Sequence, residues 1–247
     1  MNYNWNWRIF WELSPDATGT YLDTLLTGLK FTLAVALTAW VLALILGITI
    51  GTIRTAPIKW AARLGDAYVE LFRNIPLLIQ MFLWYFVAPE LLPKAAGDWV
   101  KQLPTASFWT AVVALAFFTS ARVAEQFKAG IQSISTGQRM AATALGLTLP
   151  QTYRYVLLPM ALRVVLPPLT SEFMNIIKNS AVALTIGLVE LTARARAMQE
   201  FSFQVFEAFT AATLIYLIVN LLVVGMMRVV ERKLAVPGFV GSASASH

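Results

Sequence analysis

Five stretches of this chain are long and apolar enough to cross a bilayer, at roughly 31–51, 74–92, 102–121, 173–191 and 208–227. The first, third and fifth carry no charged residue, and about 20 apolar residues is what an α-helix needs to span the hydrocarbon. Strand-period alternation is absent, and the runs are too long for the tilted strands of a membrane barrel. Only 13% of the 247 residues are charged, against about a quarter in soluble domains. The pattern predicts an all-α integral membrane protein with five transmembrane helices.

Composition removes several kinds of chemistry. There is no cysteine, and the one histidine is His247 at the end of the tail "GSASASH", expected to be disordered. Thiol chemistry, thiolate metal sites and an imidazole catalyst are therefore excluded, and neither catalytic nor metal-binding residues are expected. No G-x-x-x-x-G-K-[ST] loop is present to cradle ATP. The start "MNYNWNWRIFWEL" lacks the basic and apolar regions of a cleaved signal.

Five spans put the termini on opposite sides, and Lys/Arg bias sets which is inside. Arg54, Lys59, Arg63, Arg122, Lys128, Arg139, Arg154, Arg163, Arg228, Arg232 and Lys233 make eleven on one side, against five for Arg8, Lys94, Lys101, Arg194 and Arg196. The N-terminus is expected outside and the C-terminus inside. Tyr3, Trp5, Trp7 and Trp11 then suit an outer interfacial belt touching membrane lipid, or a contact with a partner. The net charge of +6 is mostly a topology signal rather than a nucleic-acid footprint.

"GQRMAATALGLTLPQTYRYVLLP", residues 137–159, is longer and more patterned than a connection requires. Ser135 and Gln138 fit a capping box, the alanines that follow favour helix, and Gly146 fits a break. Pro150 suits the first turn of a second short helix, which Pro159 is expected to end. Ala141, Ala142 and Gly146 leave a shallow face suited to a partner's groove. A plain interfacial helix resting on headgroups is the other reading.

Ala141–Ala142–x3–Gly146–x9–Val156–x–Leu158–Pro159 resembles the EAA loop of the permease subunits of bacterial ABC importers, with Met140 where that pattern has Glu. "YVELFRNIPLLIQMFLWYFV" is similar to the F-R-x-x-P-L-L-x-Q signature of their polar amino-acid branch. "GLKFTLAVALTAWVLALILGITIG", "LPPLTSEFMNIIKNSAVALTIGLVEL" and "VERKLAVPG" extend the likeness over nearly the whole chain, nearest to the glutamate/aspartate permease subunits. The resemblance implies a periplasmic N-terminal segment at 1–20, an ABC-type transmembrane domain at 21–233 with a cytoplasmic coupling loop at 135–159 between spans 3 and 4, and a cytoplasmic tail at 234–247. It implies that Gly137, Met140, Ala141, Ala142, Gly146, Leu158 and Pro159 belong to the element that docks on a separate ATP-binding subunit. That subunit consumes the ATP, and this chain holds no cofactor. A second permease chain, identical or related, and a periplasmic amino-acid-binding protein complete the expected set of partners, in a bacterial inner membrane.

Arg73 and Lys178 are read as the basic residues well within spans. A charge there marks a functional site by default, the alternative being an ion pair or a side chain that reaches the interface. Asn74, Gln80, Asn179 and Ser180 supply neutral hydrogen bonds beside them, and the six are candidates for lining the path of an acidic amino acid. Gly47 and Gly51 read as close packing only, and Gly187 as a point where the fourth span bends. A gradient-driven carrier is the rival function, but carriers show paired repeats and five spans do not halve. A membrane enzyme lacks polar catalytic groups. Import of another polar amino acid stays open beside glutamate and aspartate.

Overall fold

The computed structural model describes residues 3–15 and 19–234, so most of the expected tail, with His247, lies outside the described residues. Among the described residues the only β-pairing is an isolated bridge between Leu13 and Thr20. Eleven α-helices follow one another: α1 (Tyr21–Ile53), α2 (Lys59–Asn74), α3 (Leu77–Phe82), α4 (Ala88–Leu91), α5 (Lys94–Gln102), α6 (Ala106–Gln132), α7 (Thr136–Ala144), α8 (Leu149–Thr152), α9 (Leu158–Asn179), α10 (Leu191–Ser202) and α11 (Val205–Leu234). Among the described residues four helical runs are long and apolar enough to cross a membrane: Tyr21–Ile53, Ala106–Gln132, Leu149–Ile186 and Val205–Leu234. Lys59–Asn74 with Leu77–Leu91 makes a fifth if the pair, bent by 102°, counts as one.

The bend follows from Pro76. A residue before proline is pushed out of the α region, so α2 stops at Asn74 and Pro76 (φ −56°, ψ 140°) opens α3. The Gln80 amide donates to the Ile75 carbonyl at 2.9 Å, which satisfies an acceptor released by the break.

Two other prolines are absorbed without a break. Five-residue π-helical segments, Leu83–Val87 and Tyr153–Leu157, run directly into α4 and α9. Pro89 and Pro159 each lack an N–H and clash with the carbonyl four residues back, on Tyr85 and Tyr155. Both carbonyls lie in the widened turns, where the N–H of Ala88 reaches Leu83 and that of Leu158 reaches Tyr153. The expectation that Pro159 terminates a helix is thereby corrected, because helix continues through it to Asn179. The apolar run near the fourth span also begins earlier than 173–191. Its helix gives way to a 3-10 turn at Ser180–Ile186 that ends on left-handed Gly187 (φ 84°).

The chain divides into two compact units, one from Met1–Val41, Ile75–Ala116 and Asn175–Leu221, the other from Leu42–Asn74, Phe117–Met174 and Leu222–His247. The first has a core of Ile9, Phe10, Tyr21, Leu25, Leu191, Ala195, Met198, Ala208 and Ala212. In it Glu190 is fully buried and caps α10, accepting from Thr192 N at 2.9 Å and Ala193 N at 2.8 Å. Its carboxylate also accepts from Tyr216 at 2.9 Å and Thr32 at 3.4 Å.

The second unit packs Val69, Ala121 and Ala124 with Ile50, Tyr68 and Phe72 around them. Here α1 meets α6 through Gly47 and Gly51, as the small-residue spacing predicts. A Cβ on Gly47 would fall 2.5 Å from Val123 and one on Gly51 2.8 Å from the Ala124 carbonyl.

Candidate functional site

The segment between α6 and α9 folds as two short helices. Ser135 is the N-cap of α7, in the predicted place, but its side chain makes no capping bond. Gln138 turns its amide inward instead, where Oε1 is buried without a hydrogen bond, and the expected capping box is not formed. Arg139 anchors the helix, donating to the Ile131 carbonyl at 2.9 Å. The C-terminus of α7 closes as a Schellman turn. Gly146 takes φ 78°, its N–H reaches the Thr143 carbonyl at 2.9 Å, and the Leu147 N–H reaches Ala142 at 3.1 Å. The reciprocal side-chain cap appears one helix later, where Gln151 accepts from the Thr148 N–H at 2.8 Å. Pro150 lies in the first turn of α8, as expected.

The exposed face differs from the predicted one. Ala142 is buried, because it lies on the inner side of α7, so it forms no part of an outward knob. Gly137, Ala141 and Gly146 are exposed, and added carbons at Gly137 and Gly146 would meet nothing. Large apolar side chains surround them: Met140 is 70% exposed, Leu145 81% and Leu149 51%. The sequence reading missed Leu145 and Leu149. Two leucines out of register with the buried residues of a polar helix pair were the signal that pointed to them. Leu158 is half-buried and Pro159 exposed within the continuing helix.

Behind α7 a cavity of about 420 Å³ is lined by Thr55, Pro57, Arg139, Thr143, Leu149 and Tyr153, among others. Tyr153 donates to the Thr55 carbonyl at 2.8 Å, with the Thr55 hydroxyl at 3.1 Å. The segment between α6 and α9 is thus bonded to the turn that follows α1.

The six path candidates divide between the two units. Arg73 lies in the last turn of α2. It ends α2 beside the bend, 56% exposed and 3.7 Å from Glu125, because Pro76 stops the helix there; Asn74 next to it is exposed. Both belong to the second unit, whereas Gln80, Lys178, Asn179 and Ser180 belong to the first. Gln80 is buried, and α3 packs against the 3-10 turn that begins at Ser180. The Ser180 hydroxyl donates to the Ile177 carbonyl at 2.7 Å. Lys178, one residue from the end of α9, is exposed. Among the described residues no carboxylate pairs with it. Asn179 beside it is half-buried.

The family described as "Binding-protein-dependent transport system inner membrane component" matches residues 41–236. The glutamate/aspartate import permease protein GltJ of Escherichia coli (strain K12) is 48% identical over 244 residues, 98% of this chain and 99% of that protein. The arginine transport system permease protein ArtQ of Bacillus subtilis (strain 168) is 33% identical, over 90% of this chain and 98% of its own length. Among solved structures, an amino acid ABC transporter crystallised with histidines superimposes with a TM-score of 0.73 at 31% identity, covering 86% of this chain and 95% of that one. The chain belongs to the family of binding-protein-dependent transport system inner membrane components, as a multi-pass, non-catalytic permease subunit of an amino-acid importer.

Proposed function

We propose that this subunit carries glutamate and aspartate into the cell. The observation that carries the reading is the 48% identity, over nearly the full length of both chains, to a glutamate/aspartate import permease. The residues are compatible with an anionic cargo. An uncompensated charge in the membrane interior is costly, so the path needs a cation or donors. Lys178 offers an ammonium that no carboxylate among the described residues pairs with, and Asn179 follows with an amide. Arg73 is the weaker candidate, since Glu125 already faces it.

The proposed arrangement is five spans with 1–20 periplasmic, 21–233 as the transmembrane domain and 234–247 cytoplasmic. The eleven-to-five charge count supports it. So does the N-terminal strap: the Tyr3 hydroxyl donates to Glu207, and the Asn6 N–H donates to the same carboxylate at 2.7 Å. Residues 3–6 therefore sit at the first turn of α11, whose 30 residues extend about 45 Å at 1.5 Å per residue against a hydrocarbon core of about 30 Å. The coupling segment 135–159 presents Met140, Leu145 and Gly146 to a groove in the ATP-binding subunit, which consumes the ATP. A second permease chain completes the pathway, and a periplasmic binding protein delivers the amino acid.

The test is uptake of labelled glutamate and arginine by the reconstituted complex, with the native chain and with Lys178→Met. Glutamate uptake that falls in Lys178→Met is expected. Arginine uptake without glutamate uptake overturns the substrate, and unchanged glutamate uptake in the variant overturns the role of Lys178.

A further inference from the structure

In the second unit one connected set of contacts leads from the coupling segment to the last turn of α2. It begins with Tyr153, whose phenol holds the Thr55 carbonyl at 2.8 Å. The neighbouring Arg54 is almost enclosed, with 5% of its side chain exposed. Its Nε donates to Asp66 of α2 at 2.7 Å and its Nη2 to Glu125 of α6 at 2.8 Å. Gly65 makes the room: a Cβ there would lie 2.6 Å from the Arg54 stem. The same Glu125 oxygen that accepts from Arg54 also faces Arg73 at 3.7 Å. Arg73 is the last residue but one of α2, immediately before the 102° bend.

Three features suit this set to motion. Each carboxylate oxygen is shared, Asp66 Oδ1 between Arg54 and Lys128 and Glu125 Oε1 between Arg54 and Arg73. A donor that withdraws therefore leaves its acceptor still paired. Three cations share two carboxylates, and Arg54 Nη1 is buried with no acceptor, so a donor is held in reserve. The far end is loose, since Arg73 is 56% exposed and its contact is long.

We propose that Tyr153, Thr55, Arg54 and Glu125 form a positioning relay, which carries displacement of the coupling segment to Arg73 and the bend in the pathway. A pull on the Thr55 backbone shifts Arg54, and Glu125 is then divided differently between Arg54 and Arg73. The two-state element is that shared carboxylate, which fits the requirement that coupling pass through an element with two discrete arrangements. This inference rests on the proposed docking of 135–159 on the ATP-binding subunit. The chain contacts around Tyr153 are nevertheless independent of that docking.

The test uses the whole transporter in proteoliposomes and reads substrate moved per ATP hydrolysed. Tyr153→Phe keeps the ring and removes only the hydroxyl. It is expected to leave the ATP-binding subunit co-purifying while transport per ATP falls about tenfold, within the roughly 5- to 150-fold range of ordinary inter-site coupling. Glu125→Gln is expected to do the same, and the double variant to lose no more than either single one, because both act on one relay. Normal transport per ATP in Tyr153→Phe overturns the relay, as do losses that multiply in the double variant. An Arg54 variant that fails to fold does not rescue the idea, since the Tyr153 and Glu125 results stand alone. If the native chain retains no ATP-binding subunit at all, the docking reading fails first, and the two failures are told apart.

Discussion

Glu190 in the first unit and Arg54 in the second are both buried charges, and they are held in opposite ways. Glu190 accepts from two backbone N–H groups, a phenol and a threonine hydroxyl, all neutral donors from its own helix start, α1 and α11. Each donor has its geometry fixed by a helix, and among the described residues no cation pairs with the carboxylate. Arg54 is held by carboxylates that also serve Lys128 and Arg73, and those carboxylates are themselves 41% and 36% exposed. A buried charge held by several neutral donors fixed on helices is a fastener. One whose partners are shared and half in water is able to exchange them.

That contrast predicts a graded set of stability effects. Glu190→Ala should be the most damaging, because it leaves two N–H groups without their acceptor and removes an N-cap. The loss should be about 3 kcal/mol, read as a lower unfolding midpoint in detergent, and a midpoint equal to native would break the fastener description. Arg54→Met should cost about 1–2 kcal/mol, since Asp66 and Glu125 recover solvent and keep other cations, yet it should abolish coupled transport. Equal destabilisation by the two substitutions would erase the distinction.

Smaller changes sharpen it. Tyr216→Phe withdraws one of four donors from Glu190 and should cost about 1 kcal/mol, with transport per ATP at the native value. Loss of coupling in that variant would mean the Glu190 set moves as well. Leu145→Ser, at a side chain that is 81% exposed, should change stability by less than about 0.5 kcal/mol. It should nevertheless weaken retention of the ATP-binding subunit in a co-purification assay.

Much of this architecture was legible in the order of residues, and what was not has a common cause. Apolar runs, the break at Gly146 and the close approach at Gly47 and Gly51 depend on near neighbours or on bare size, which a sequence carries directly. The expected end at Pro159 was wrong because proline excludes an α-turn, not a π-turn, and nothing local distinguishes the two outcomes. Ala142 was placed on the outer face because all small residues of α7 were grouped, whereas which side of a nine-residue helix turns inward is decided by its neighbours in space. The helix break beside Arg73 follows from Pro76, whereas the apolar run reads as one continuous span. Glu190 and Arg54 escaped notice since their partners lie up to 158 and 71 residues away. Lys178, read as lying mid-span, is exposed one residue before the end of α9.

The most direct test of the account asks whether α2 moves against α6 when ATP binds. The chain has no cysteine, so Leu71→Cys and Ala129→Cys, both at exposed positions, give it two defined labelling sites. The chain is spin-labelled before it is assembled with its partners. Pulsed electron spin resonance then measures the distance between the last turns of α2 and the C-terminal end of α6. The account predicts two different distances for the nucleotide-free and ATP-bound complex, merging into one in Tyr153→Phe. A distance indifferent to nucleotide, or a shift of the same size in Tyr153→Phe, would contradict it.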